Sequence, residues 1–204
     1  MGVGNWELIR LLRYNKRMPA HELRLALAPT ATYEKLLASD PVRGVRVLRR
    51  PLLVLLVLAV MVPIAAVQRV TVGLVATAAL SWSFVLVVQA IVAVAIIASA
   101  PRRRVRMPTA VDLWFASHLP YSLWAVIALA CMAAFPVSIE LVIASAIVPA
   151  IWTMFLVSAF CRTVLLTTPA GAHWRTAAHF VAIWAFTFSY IAWVAGGWFQ
   201  VVPW

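Results

Sequence analysis

Four ionisable side chains lie inside or at the edge of long apolar runs: Asp112, His118, Glu140 and His179. A charge is costly in hydrocarbon, so such residues are the first candidates for chemistry. Asp112 follows Thr109 at the start of one apolar run, in a capping-box-like spacing with Asp in place of Glu, and Glu140 follows Ser138 at the start of another. Both positions suit a first-turn acid that complements the helix dipole. The two histidines have no such duty. Neutral imidazoles on two different helices could ligate a haem iron or a metal, or could be hydrogen-bonded packing residues, with His118 held by a carbonyl freed at Pro120. If their helices begin near Thr109 and Arg175, His118 lies about 15 Å and His179 about 6 Å from the inner end at 1.5 Å per residue. A bis-histidine haem wants matched depths, and zinc wants more ligands than two histidines give, with His173 as a possible third.

The other chemical feature is the run Pro101-Arg-Arg-Arg-Val-Arg-Met-Pro108 between two apolar stretches. Lys and Arg collect on the untranslocated side of a membrane, so this loop is expected to face the cytoplasm. Arg102, Arg103, Arg104 and Arg106, with Arg49 and Arg50 ahead of the first apolar run, are then placed to meet anionic lipid headgroups. The sequence shows no Gly-x-Ser-x-Gly, no phosphate-cradling glycine loop and no paired carboxylates. The expectation is a protein that is not an enzyme.

These residues need elements to hold them. The apolar fraction is 65% and only 11% of residues are charged. A chain of 204 residues cannot hide that much apolar surface in one aqueous core, so the expected class is all-α, a polytopic transmembrane bundle. The continuous runs do not show the short alternating segments of a β-barrel. Five spans are expected, near 52–67, 72–98, 109–134, 138–160 and 175–199. Sixteen of the 17 basic residues then fall inside and only Arg69 outside, with the N-terminus in and the C-terminus out of a bacterial inner membrane. The net charge of +11 is accordingly assigned to lipid rather than nucleic acid. No signal peptide is apparent, and the first span is expected to start insertion.

Two segments follow from this division: a cytoplasmic stretch over 1–50 and a transmembrane domain over 51–204. Within the first, residues 6–17 project as a basic amphipathic helix. Leu8, Ile9, Leu11 and Leu12 fill one arc, which can rest on lipid or dock a neighbouring membrane subunit or a second copy, with the partner favoured. Pro29–Leu37 is expected as a short helix capped by Thr30 or Thr32 and stopped by Asp40-Pro41. Small residues (Ala90, Ala93 and Ala98; Ala144, Ser145 and Ala146) allow close helix approach. Trp174, Trp184, Trp193, Trp198 and Trp204 read as interfacial anchors. Cys131 and Cys161 fall at opposite ends of their spans, so no disulfide between them is expected.

The Pro29–Leu37 helix with Asp40-Pro41, a tight first hairpin, His118-Leu-Pro120, and the loop Thr167-Thr-Pro-Ala-Gly-Ala172 before the last span together resemble the Yip1-domain family of five-span membrane proteins. The resemblance covers roughly residues 28–200 and implies that fold with an interaction-type function. Two functions are therefore expected in competition. One is a non-catalytic scaffold, assembly factor or accessory subunit of a membrane complex, without a cofactor. The other is a cofactor- or lipid-binding protein that uses His118, His179 and the 102–106 loop, with haem as the candidate cofactor.

Overall fold

The computed structural model describes residues 24, 25, 27–38 and 47–201. The amphipathic stretch with Leu8, Ile9, Leu11 and Leu12, and the Asp40-Pro41 stop, lie outside the described residues. Among those described the chain is all helical: α1 Pro29–Leu37, α2 Arg49–Val67, α3 Val72–Ala98, α4 Met107–Ala116, α5 Leu119–Ala134, α6 Ile139–Ser145, α7 Ile147–Thr163 and α8 Pro169–Val201. Three stretches are long and apolar enough to cross a membrane: Arg49–Val67, Val72–Ala98 and Glu140–Thr163. A fourth is reached if α4 and α5, bent by 43° at their junction, count as one span. This is consistent with an integral membrane protein.

The packing order closes a ring. α2 packs on α3, α3 on α8, α8 on α7, α7 on α5, and α5 back on α2. α4 sits within one end of that ring, against α2, α3 and α7, and every residue from Thr109 to Ala116 is buried. Of the small residues on α3, Ala93 is fully buried in the same cluster and Ala90 is half-buried against it, whereas Ala98 is exposed. The outward faces stay apolar: Leu80, Leu123, Phe155 and Val181 are all exposed. In water such a surface would be a liability, whereas hydrocarbon solvates it.

Several boundaries differ from the sequence expectation, each for a local reason. The expected third span is broken into two helices bent by 43°. Pro120 has no N–H for the Ala116 carbonyl, and the Ser117 and His118 amides turn back to Trp114 and Phe115 at 3.0 and 3.2 Å. The fourth is divided at Ala146, where Pro149 leaves the Ser145 carbonyl without its amide. α1 is capped by neither Thr30 nor Thr32: Ala28 is the cap residue, Pro29 enters the first turn, and the Thr32 hydroxyl donates back to the Ala28 carbonyl at 2.8 Å. The last helix starts at Pro169, six residues before Arg175. Thr168 caps it by accepting from the Gly171 amide at 3.2 Å, and Pro at the first position removes a donor the helix could not use.

Loops are fastened by polar side chains. Gln68 ends α2 in the left-handed region (φ 54°) and donates its amide to the Ala133 carbonyl at 3.0 Å, tying the hairpin to the end of α5. Arg175 donates to the Ser99 carbonyl at 2.9 Å and to its hydroxyl at 3.3 Å, a cation at the C-terminal end of α3 where the helix dipole favours it.

Candidate functional site

The break between α4 and α5 builds the site. His118 is the junction residue itself, with φ −90° and ψ 3°, outside the helical conformation of either neighbour. Its ring swings toward α8, and its Nε2 stands 3.0 Å from Nε2 of His179. Both rings are buried and lie edge to face, with centroids 4.9 Å apart. The unequal depths expected from sequence are corrected here. With α8 starting at Pro169, His179 is ten residues into its helix and His118 eleven residues past the start of α4, each about 15 Å along at 1.5 Å per residue.

Hydrogen bonds fix the tautomers of the neutral pair. His118 Nδ1 lies 3.0 Å from the Trp114 carbonyl, which can only accept, so that nitrogen carries the hydrogen. His118 Nε2 then presents a lone pair, and His179 donates its Nε2–H to it. His179 Nδ1 is left as a buried acceptor without a hydrogen-bond partner. The Trp114 indole closes the site, with its centroid 5.7 Å from His118 and 4.9 Å from His179, and Phe180 stands 5.8 Å from His179 on another side. Trp114 is fully buried, unlike the exposed Trp174, and thus belongs to the site rather than to an interfacial belt. Its indole N–H, and the hydroxyls of Thr153 and Thr176, are likewise buried without partners.

A second layer lies beneath. Ser117 donates its hydroxyl to the Trp114 carbonyl and stands 3.4 Å from His118 Nδ1. Tyr33 of α1 is fully buried against Phe160, at 5.9 Å between centroids, and its hydroxyl reaches the Leu156 carbonyl at 3.4 Å. Burial pushes that hydroxyl well above the ordinary tyrosine value, so it remains a neutral donor. The short helix before the first span therefore plugs the ring at the end where α4 sits.

Asp112 is a correction. α4 begins at Met107 behind the extended Arg106, so Asp112 lies beyond the first turn and caps nothing. Its carboxylate accepts instead from Arg50 at 3.2 Å, and its carbonyl accepts from the same guanidinium nitrogen at 3.1 Å. Arg50 is thus engaged within the protein, whereas Arg49, Arg102, Arg103, Arg104 and Arg106 are exposed. The loop is still ordered by its backbone, since the Arg104 amide donates to the Val164 carbonyl at 2.9 Å. Glu140 does occupy the first turn of α6, behind the Ser138 cap. His173 is exposed and does not join the pair. Among the described residues no group of three or more His, Cys, Asp or Glu is gathered that could hold a metal ion.

A macrocycle would have to pass between the two Nε2 atoms of a bis-histidine haem, and here those atoms are in direct hydrogen-bond contact. Smaller chemistry fits better: sharing one hydrogen, or admitting a single small ion between two lone pairs. No family model, curated protein or solved structure matches this chain.

Proposed function

We propose that this chain is a non-catalytic integral membrane protein that binds a small ligand or cofactor at its His118–His179 pair. The observation that carries the reading is the meeting of two buried imidazoles, 61 positions apart in sequence, at 3.0 Å and equal depth. Ionisable side chains at membrane depth are costly, and such residues ordinarily mark working sites. In the proposed topology five spans cross a bacterial inner membrane, with the N-terminal segment and the arginine loop on the cytoplasmic face. Exposure of Arg49, Arg102, Arg103, Arg104 and Arg106 supports a second role for that face, contact with anionic headgroups. The wider role is that of a scaffold, assembly factor or accessory subunit of a larger membrane complex, which co-purification in mild detergent would detect.

The test of the site is a comparison of wild type, His118→Ala, His179→Ala and the exposed control His173→Ala after purification in mild detergent. Elemental analysis, mass spectrometry and visible absorption are read together. The proposal expects a bound species in wild type and in the control, lost from both pair variants. Indistinguishable bound content in all four proteins, none included, contradicts it.

A further inference from the structure

We infer that the His118–His179 pair is a two-nitrogen site for a soft monovalent metal ion, with Cu(I) as the ion its chemistry fits. The inference rests on the binding role proposed above and names the class of ligand. Four features of the site argue for it.

The first is direction. His118 Nδ1 donates to the Trp114 carbonyl, which locks the ring with its Nε2 lone pair facing the partner. Metal-ligating histidines are ordinarily oriented by such a bond from the other ring nitrogen. His179 needs only to move its hydrogen from Nε2 to Nδ1, a nitrogen with no partner to give up. The ion then replaces the shared hydrogen, and both rings stay neutral.

The second is distance. Two metal–nitrogen bonds of about 2.0 Å in a line need the nitrogens about 4 Å apart. They stand at 3.0 Å, so an opening of about 1 Å admits the ion. His118 is the junction of α4 and α5, where the backbone is out of helical geometry, and the His179 ring has no hydrogen bond at Nδ1 to hold it, so the opening falls to small ring displacements here.

The third is charge. Asp112, the acid on the same helix as His118's neighbour Trp114, is engaged by Arg50, and among the described residues no group of three or more His, Cys, Asp or Glu gathers here to compensate a dication. The cost of burying an ion rises with the square of its charge, so a monovalent ion is far less penalised in this dry position. Hard monovalent ions want oxygen ligands, whereas imidazole suits copper.

The fourth is the neighbour. The Trp114 ring packs against both imidazoles, 5.7 Å from His118 and 4.9 Å from His179 by centroids, so an aromatic wall shields the position from water.

The experiment titrates the full-length protein in detergent with Cu(I), under anaerobic conditions with ascorbate and a chromogenic Cu(I) chelator as competitor. Wild type and His173→Ala are expected to hold one equivalent, while His118→Ala and His179→Ala bind more weakly by about 100-fold or more. X-ray absorption on the wild-type complex gives a readout that needs no variant, and two nitrogen neighbours with no sulfur are expected. Complete stripping of wild type by the chelator, or equal retention by the pair variants, overturns the assignment. Sulfur neighbours, or tighter binding of Zn2+ than of Cu(I), also overturn it. A different species lost on mutation of the pair, without Cu(I) binding, would sink this inference and leave the proposed binding role standing.

Discussion

At the scale of single residues, the polar groups of this bundle act through partners distant in sequence. Arg50 and Asp112 are 62 positions apart and meet with side chains 19% and 11% exposed. Removing one member leaves a nearly buried charge alone, while replacing both removes the desolvation cost together with the attraction. Arg50→Ala is therefore expected to destabilise by about 2–3 kcal/mol. The pair Arg50→Met with Asp112→Leu should recover most of that loss, as read by thermal unfolding in detergent. Equal losses for the single and double variants would show that the pair does not couple. None of this was legible from sequence, because a long-range pair leaves no periodic or local signature. Asp112 looked like a capping acid since Thr109 preceded it at a plausible spacing, yet Pro108 let the helix begin earlier. The candidacy of His118 and His179 was legible, because an imidazole in an apolar run stands out. Their contact was not.

At the scale of elements, sequence periodicity and breakers located most of the helices. Both ends of Val72–Ala98 were readable from the Thr71 start and the polar stretch after Ala98, and Pro29–Leu37 was readable from its flanking breakers. The last helix was misplaced because Pro169-Ala-Gly-Ala-His has the composition of a loop. The available signal was Thr168 before Pro169, a cap followed by a residue suited to the first turn. That cap sets how deep His179 lies, so its loss should be felt at the site. Thr168→Ala is expected to cost about 1 kcal/mol. Hydrogen exchange of the first turn of α8 should rise, while exchange in α7 stays unchanged. An unaltered first turn would mean that the hydroxyl does not secure the helix start. The kinks had visible causes in Pro120 and Pro149, but a proline shows only that a helix can break. The direction of the bend follows from packing against other helices.

At the scale of the molecule, the ring of α2, α3, α8, α7 and α5 brings distant segments to one place. α4 fills one end of it, and Tyr33 seals that end from the first described helix. Orientation belongs to the same scale. Single cysteines introduced at Arg103, and at Gln68 in the α2–α3 turn, in a background where Cys131 and Cys161 are serine, should differ toward an impermeant thiol reagent outside intact cells. Only the one at Gln68 should react, since the arginine loop is expected inside. The meeting of two imidazoles inside the bundle is what the proposed site depends on. The direct measurement is 15N NMR of histidine-labelled protein, stripped of bound ligand and metal by chelator, in lipid bilayers. Two neutral rings of opposite tautomer are expected, the hydrogen on Nδ1 of His118 and on Nε2 of His179, with a through-hydrogen-bond coupling between the two Nε2 nuclei. Histidine rings that show no such coupling and titrate independently near their ordinary value would contradict that meeting.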